Sequence, residues 1–383
     1  MKILNQLKAV FVVVAKRVVS QPGLVVATTL GLVIAIALMM SIPLYADAVY
    51  HRIFMQNIAP EGTGDMDKLP PFTFLFRYDG SIYGSVESDE LGPVDTYLSE
   101  EAVAVLGLPP QFVVRYFSTD PLGVFADAQS AFDDVSTPLV WAGFSFISDI
   151  EDHITILEGS FPRVTTGADG TPIEVMIYEE LAIKLGLQLN EVYVAYTQER
   201  SEEGFVRDVQ IPVRISGIWK EKDPLDAFWF FRPTALAERL IVPEETFVQG
   251  VGTVVEDEIY TAVWYLVVDG AEIRHNEANS LIRRSVTVQQ KAAGFLANTK
   301  LSKSPVDALV EYRRSANLLT ILLYAFSVPI LGLLLAFITL TSGLGVERRR
   351  NEIAVLRSRG AMGLQMIGIA ALESFCLLYT SDA

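Results

Sequence analysis

The sequence predicts a membrane protein with α-helical transmembrane segments and a large α+β extracytoplasmic domain. Two runs without a charged side chain, residues 18–46 and 316–346, are 29 and 31 residues long. A helix of roughly 20 residues already spans the roughly 30 Å hydrocarbon core of a bilayer. Between the two runs, strand-like and helix-like segments mix without regular alternation, which favours an α+β domain.

The N-terminal elements predict a cytoplasmic start. Residues 1–19 are apolar with basic interruptions and predict an interfacial helix on the inner leaflet, followed by transmembrane helix 1 over residues 20–46. A cleaved signal peptide is the alternative, but the apolar run exceeds the roughly 7–15 residues of a signal core. Four basic residues precede the span and only Arg52 follows closely, so the positive-inside rule places the N-terminus in the cytoplasm.

Residues 47–314 form the predicted extracytoplasmic domain, which carries a formal charge of −21. Such acidity argues against nucleic acid as a partner, because nucleic acid binds to positive potential. The single cysteine is Cys376, so no disulfide supports this domain, which suits a bacterial protein.

The sequence offers no recognisable catalytic chemistry. Its three histidines stand apart from one another, and it contains neither a phosphate-binding loop nor a nucleophile elbow. We therefore predict a non-catalytic subunit with no catalytic, cofactor-binding or metal site.

Within the domain, clusters of aromatic and β-branched residues predict the strands. These strands cover residues 72–78, 112–117, 140–147, 173–177, 192–197, 209–219 and 261–268. Helical spacing predicts helices over residues 95–106, 178–185 and 271–297. Gly107 and Gly186 are expected to end the first two, and the Gly- and Pro-rich stretch 57–71 is predicted as a connection.

The second long run predicts transmembrane helix 2 over residues 315–346, followed at once by the charged sequence ERRRNE. Residues 347–359 predict a short separate helix that ends at Gly360, and a further apolar segment begins near Leu364. A simple stop-transfer cluster is the alternative. Four basic residues also precede the span on the predicted outer side, so the second span alone leaves the orientation ambiguous; they are Lys300, Lys303, Arg313 and Arg314.

The run ERRRNEIAVLRSRGAMGLQMIGIAALES resembles the segment that joins the second and third spans of FtsX/MacB-type ABC transporter permeases. The matching residues are Glu347, Arg348, Arg349, Arg350, Glu352, Ile353, Val355, Leu356, Arg357, Gly360, Ala361 and Glu373. Asn351, Ser358 and Arg359 depart from the family pattern. Residues 157–159, 174–182, 185–187 and 215–218 resemble the periplasmic core domain of the same family.

The resemblance implies a multi-pass permease subunit in the bacterial cytoplasmic (inner) membrane, with its large domain outside. Residues 347–363 would be a coupling helix and turn that bind a separate ABC-type ATPase subunit. The implied interface residues are Glu347, Arg348, Arg349, Arg350, Glu352, Ile353, Leu356, Arg357, Gly360 and Ala361. ATP hydrolysis on that subunit would move the extracytoplasmic domain, for export, for extrusion of a lipoprotein, peptide or drug, or for mechanotransmission.

Other implied partners are membrane lipid and a second permease copy or homologous half. Residues 364–383 are expected to begin a third span that is truncated and has a non-native end. The alternative function is a two-span membrane receptor or regulatory scaffold that controls an extracytoplasmic partner such as a cell-wall hydrolase. Such a receptor would need a cytoplasmic signalling domain, whereas a permease needs only a docking helix and further spans.

Overall fold

The structure, a computed structural model, describes residues 69–126, 137–167, 170–200, 206–255, 258–271, 273 and 277–358, with residues 33, 34, 37, 40, 48–50 and 52–54. The chain divides into two compact units. The first comprises Met1–Ile53 and Arg314–Ala383, and the second, the sheet unit, comprises Phe54–Arg313. The predicted interfacial helix 1–19 lies outside the described residues, as do residues 359–383. Within the predicted first span, Val33, Ile34, Ala37 and Met40 are helical.

The described part of the sheet unit contains eleven strands. They are β1 Thr73–Asp79, β2 Pro110–Ser118, β3 Leu122–Ala126, β4 Val140–Ile147, β5 Ile154–Gly159, β6 Ile173–Tyr178, β7 Val192–Arg200, β8 Val206–Glu221, β9 Arg239–Ile241, β10 Thr261–Val268 and β11 Lys300–Lys303. The α-helices of the described chain are α1 Gly80–Tyr83, α2 Ser88–Thr96, α3 Ala102–Leu106, α4 Glu179–Leu185, α5 Glu244–Thr246, α6 Ala278–Phe295 and α7 Val306–Ser358. Two π-helical turns, Tyr97–Glu101 and Phe247–Val251, follow α2 and α5.

The strands form one sheet with two parts. Antiparallel pairing joins β11, β1, β10, β2 and β4 in that order. From β4 the sheet continues through β3, β7, β8, β6 and β9, and a parallel pairing of β9 with β4 closes these six strands into a ring. Strand β5 adds to β8 outside that ring. The result is a four-stranded open arm attached to a closed six-stranded part.

One face of the open arm is covered by helices. Phe76 of β1 lies opposite Trp264 of β10, and both side chains are fully buried. The Trp264 Nε1 donates to Asp95 Oδ1 at 2.8 Å, which fixes α2 over this face. α6 packs beside α3, where Leu106 and Leu281 are also fully buried. Burial of large side chains between two layers supplies the main stabilisation here.

The opposite face of the arm carries a second core. Tyr116, Val263 and Tyr265 of the sheet pack in one cluster with Trp219 of β8 and Trp229 of the segment after it. The open arm and the closed part therefore share apolar residues, and the sheet unit behaves as one folded body.

Most of the predicted strands and helices of the domain are present. The prediction 261–268 coincides with β10, 140–147 coincides with β4, and the other predicted strands differ from the observed ones by a few residues at their ends. Gly107 and Gly186 both have a left-handed φ, 67° and 68°, and each N–H donates to the helix that it ends. These two predictions are confirmed.

A helix is present where residues 271–297 predict one, but the prediction starts it too early. The observed helix, α6, begins at Ala278. Before it, the Asp269 carboxylate accepts from the N–H of Ala271 at 2.9 Å. This is an Asx turn, in which an aspartate side chain accepts from the backbone two residues on and favours a turn at this point.

Four strands were not predicted: β3, β5, β9 and β11. β9 has three residues and β11 has four, LysLeuSerLys, so neither carries an alternating pattern of its own. Partners that are distant in the sequence hold them in place, as β1 does for β11. Lys300 and Lys303, which the sequence analysis counted as charges flanking a span, thus lie on a strand at the end of the observed strand order, where lysine discourages further pairing.

Candidate functional site

The longest element, α7, carries the most unusual surface of the described chain. Nine large apolar side chains between residues 318 and 340 are 55% to 73% exposed. They are Leu318, Ile321, Leu322, Tyr324, Phe326, Val328, Leu333, Leu335 and Leu340. Successive helical residues lie about 100° apart, so these nine residues cover an arc of roughly 200°, and Ile330 and Leu331, each 37% exposed, extend the apolar surface over most of the remaining side. A helix that is apolar all round needs either a protein core or a lipid phase around it.

In the part of the chain that the structure describes, one helix is long and apolar enough to cross a membrane. It is Val306–Ala336, whose most apolar stretch has a mean hydropathy of 2.4 and no buried residue. Two of its hydroxyl groups bond within the helix, since Thr320 donates to the Ala316 carbonyl at 2.8 Å and Ser327 donates to the Leu323 carbonyl at 2.6 Å. Such internal bonds remove the cost of placing a hydroxyl in an apolar phase.

A second segment of the same unit contacts α7. The hydroxyl oxygens of Tyr50 and Thr320 lie 2.5 Å apart. Because the Thr320 hydroxyl already donates its proton to the Ala316 carbonyl, the Tyr50 hydroxyl is the donor in this pair. The helical residues around Tyr50 follow the predicted first span in the sequence, so this hydrogen bond holds the chain near that span against α7.

The charged end of α7 contains eight of the ten residues predicted as a partner interface. Glu347, Arg348, Arg349, Arg350, Glu352, Ile353, Leu356 and Arg357 are all in helical conformation. Gly360 and Ala361 lie outside the described residues. The side chains of Glu347 and Arg350 are exposed and, three residues apart, share one side of the helix.

The structure differs from the predicted separate helix over 347–359. α7 is one helix of 53 residues without a break between the predicted second span and the charged segment. The sequence 347–358 is rich in Glu, Arg, Ala and Leu, which are strong helix formers, so nothing ends the helix at Val346. The two glycines at 343 and 345 cost about 1 kcal/mol each in a helix, too little to interrupt it.

The sheet unit has its own charged centre at Arg115, on the helix-covered face of β2. The guanidinium donates to both carboxylate oxygens of Glu244, at 2.8 and 2.7 Å, and to Asp95 Oδ2 at 2.9 Å. It also lies over the Phe146 ring, 5.4 Å from the centroid. Burial alone would lower the pKa of Arg115, but the two carboxylates outweigh burial and raise it. The guanidinium is therefore a permanent charge that joins α2, β2 and α5.

The imidazole ring of His153 is fixed by contacts with two neighbouring side chains. Its Nδ1 lies 2.7 Å from Asp226 Oδ2, and its ring stacks on Phe228 at 3.8 Å between centroids. Burial would raise the pKa of Asp226, but the Phe228 N–H and His153 outweigh it and lower the pKa. This pair fixes the segment between β8 and β9. His51 and His275 lie outside the described residues.

A groove with a volume of about 640 Å³ opens on the arm face opposite the helices. Leu75, Tyr116 and Val263 of the sheet line it, and the segment after β8 forms its other wall. That wall contains Trp229, Phe230 and Phe231, followed by Arg232. We call this space the aromatic groove. Sequence reasoning missed it, although four consecutive aromatic residues before an arginine were a visible signal.

Acidic residues gather at a second, smaller hollow of about 330 Å³ lined by Glu87, Asp89 and Glu258. Glu258 is buried, which raises the pKa of its carboxyl, and it accepts hydrogen bonds from the Ser88 N–H at 3.2 Å and from the Ser88 hydroxyl. Within the described residues, no group of three or more His, Cys, Asp or Glu side chains is arranged to hold a metal ion.

No protein-family model matches the sequence, and no curated protein matches it either. Among solved structures, the chain is similar to a domain of a protein from Porphyromonas gingivalis that is provisionally described as a permease. The TM-score is 0.30 and the identity 11%, over 62% of this chain and 92% of that one. At that TM-score the likeness carries no argument about the fold or the function of this chain.

Proposed function

We propose that the chain is the permease subunit of an ABC transporter, in which ATP hydrolysis on a separate subunit moves the sheet unit through α7. The observation that carries this proposal is α7 itself, a single helix that joins an exposed apolar stretch to the charged residues 347–358. The resemblance of residues 347–361 to the coupling segment of FtsX/MacB-type permeases supports the same assignment.

The physical requirement for such coupling is a stiff connection. Helices are rigid over their hydrogen-bonded length, and α7 extends about 80 Å at about 1.5 Å per residue, with one backbone donor missing at Pro329. We infer that an ATPase seated on the charged end displaces α7 along or across the membrane. Lipid covers the apolar stretch, and a second permease copy or homologous half completes the assembly.

The test is recovery of the ATPase from native membranes with an affinity-tagged chain. We expect the wild-type chain to recover a protein with a phosphate-binding loop and measurable ATP hydrolysis. The double variant Leu356→Asp with Arg349→Glu should insert normally yet recover none of that activity. The matched control, Val310→Asp with Arg314→Glu, makes the same two changes of charge at exposed positions near the other end of α7 and should recover the ATPase fully.

Two results contradict the proposal. One is that wild-type membranes never yield an ATPase with the tagged chain. The other is that the double variant and its control recover it equally well. Recovery of a cell-wall hydrolase in its place would favour the receptor or scaffold function.

A further inference from the structure

The floor of the aromatic groove is apolar and already ordered. Tyr116 packs against Phe230 and Phe231, with ring centroids 5.8 and 5.5 Å apart, and the centroids of the two phenylalanines lie 4.1 Å apart. Both phenylalanines are half-buried, so part of each ring faces the open space. Leu75 and Val263 add alkyl surface from β1 and β10. The rings hold one another in place, so the floor is preformed.

The size and lining of the groove suit a small molecule. Sites for small molecules typically measure about 300–1,000 Å³, are mainly apolar and aromatic, and hold a few polar groups that fix orientation. The groove measures about 640 Å³, and Thr261 and Ser302 are among its lining residues. A hydroxyl group donates and accepts hydrogen bonds without carrying charge. The groove therefore combines apolar surface with uncharged polar groups.

The three arginines that line the groove already interact with other residues of the chain. Arg77 pairs with Asp79 at 2.9 Å. Arg239 donates to the Thr119 carbonyl at 3.4 Å. Arg232 also has an interaction partner within the chain. These guanidinium groups therefore act as parts of the wall, and the groove does not need a charged ligand to satisfy them.

The remaining cation of the lining is Lys303 on β11. Its side chain is exposed, so the ammonium group stays in water at the edge of the groove. A charged group placed over the rings would lose its own hydration without gaining a partner, which is costly. Charge complementarity therefore favours an uncharged occupant.

We propose that the aromatic groove binds a small uncharged amphiphile, a molecule with a hydrocarbon chain and a hydroxyl head. The chain lies against Leu75, Tyr116, Val263 and the two phenylalanines, where water is displaced from ring and alkyl surface. The head lies at the opening, within the part of the lining that carries hydroxyl groups. This inference goes beyond the transport proposal and needs no ATPase.

The experiment is photolabelling of the full chain in phosphatidylcholine nanodiscs, with a dodecanol that carries an aliphatic diazirine as the probe. Peptide mass spectrometry locates the adducts. We expect adducts on residues 229–235 and 261–263 that saturate with probe and disappear with excess dodecanol. Adducts on the apolar stretch of α7 come from probe dissolved in the lipid, so they should rise without saturation and serve as the internal reference.

Competing ligands test the absence of charge. Dodecanoate has the same chain length as dodecanol but a carboxylate head, so it should displace the probe less well than dodecanol does. Displacement by dodecanol should be the same at low and high salt, because screening acts only between charges.

A substitution that fills the groove identifies the site. Ala235 is exposed and lines the groove, so Ala235→Trp places an indole in the ligand space and removes no core contact. We expect groove adducts to fall roughly tenfold or more, with α7 adducts unchanged. Ala104→Trp makes the same substitution at an exposed position on α3, outside the groove, and should label like the wild type. Circular dichroism on each variant shows that the sheet unit is folded.

Three results overturn the inference. They are the absence of saturable adducts on the groove segments of the folded wild-type chain, stronger displacement by dodecanoate than by dodecanol, and equal groove labelling of Ala235→Trp and Ala104→Trp. Because no step involves ATP, each of these results leaves the transport proposal standing, and failure to recover an ATPase leaves the groove standing.

Discussion

At the level of single residues, Arg115 is the contact on which three elements of the sheet unit depend. Its own side chain and that of Asp95 are 23% and 20% exposed, and Glu244 is 40% exposed. We expect Arg115→Met to lower the free energy of unfolding by about 2 kcal/mol, below the roughly 3–5 kcal/mol for a fully buried pair, because water reaches these groups. Urea unfolding followed by tryptophan fluorescence measures the change.

Arg283→Met is the control for that experiment, because Arg283 is exposed on α6. If Arg283→Met lowers the free energy of unfolding as much as Arg115→Met does, the hydrogen bonds of the Arg115 guanidinium do not stabilise the sheet unit. The network also explains why Asp95 recurs in three hydrogen bonds, to Arg115, Ser99 and Trp264.

At Gly107 the backbone angle φ determines how a substitution changes the stability of the fold. It ends α3 with a φ of +67°, and a Cβ added there would meet the Arg284 guanidinium. We expect Gly107→Ala to lower the free energy of unfolding by about 1–2 kcal/mol, the usual cost of a left-handed L-residue. Gly294 in α6 faces open space, so Gly294→Ala should instead raise stability by about 0.5–1 kcal/mol. Thermal unfolding of both variants tests the opposite signs.

Asp226 gives the sheet unit a specific response to acid. Its pKa is lower in the folded chain than its ordinary value of 3.8. The stabilisation that the Asp226 carboxylate contributes is therefore complete well above pH 3.8. It is lost as the pH falls through the lowered pKa of this group. We expect the unfolding free energy of the wild type to fall more steeply below pH 4 than that of Asp226→Asn. Parallel slopes in urea titrations of the two proteins would show that the His153 pair is not responsible.

At the level of elements, α7 makes a measurable geometric prediction. Tyr324 and Val355 are both exposed and 31 residues apart, so an unbroken helix separates their Cα atoms by about 46 Å. Spin labels at Tyr324→Cys and Val355→Cys, with Cys376→Ser, should give one narrow distance near that value. A short, broad distribution would indicate a break near Gly343. The pair Tyr324→Cys and Leu340→Cys, about 24 Å apart, calibrates the labels.

The elements also show what a single sequence can predict. β4 and β10 are rich in aromatic and aliphatic residues, buried along almost their whole length, and their boundaries followed from composition alone. β9 and β11 have no such pattern, because pairing with β4 and β1 holds them as strands. The continuity of α7 was missed for a different reason. Charge marks where a helix leaves an apolar phase, but it does not end the helix.

At the level of the whole molecule, the positive-inside rule predicts that residues 47–314 and the charged end of α7 lie on opposite sides of a membrane. We expect Val206→Cys, exposed on β8, to react with an impermeant maleimide in intact cells. Val355→Cys, exposed at the charged end of α7, should react only after the membrane is opened. Both variants carry Cys376→Ser, and the Cys-less chain gives the background. Labelling of Val355→Cys in intact cells would reverse the predicted orientation.

The candidate sites differ in how far the sequence reveals them. Residues 347–361 are contiguous in the chain, so their pattern is visible in the sequence alone. The aromatic groove is built from Leu75, Tyr116, Val263 and Lys303, which meet only because β11, β1, β10 and β2 are neighbours. The spacing of residues in a sequence does not show which strands become neighbours in a sheet.

The position of β11 determines when the sheet unit can finish folding. Lys303 lies beside Leu75, so the first and last of the described strands are neighbours. The ring of six strands likewise closes only when Ile241 pairs with Ser145. Contacts between such distant residues form slowly, since a long stretch of chain must be ordered first. On the ribosome, the nascent unit therefore stays incomplete until nearly all of it has emerged, and the last strand is made only just before α7. Chaperones that shield unpaired strand edges have their longest opportunity in that interval.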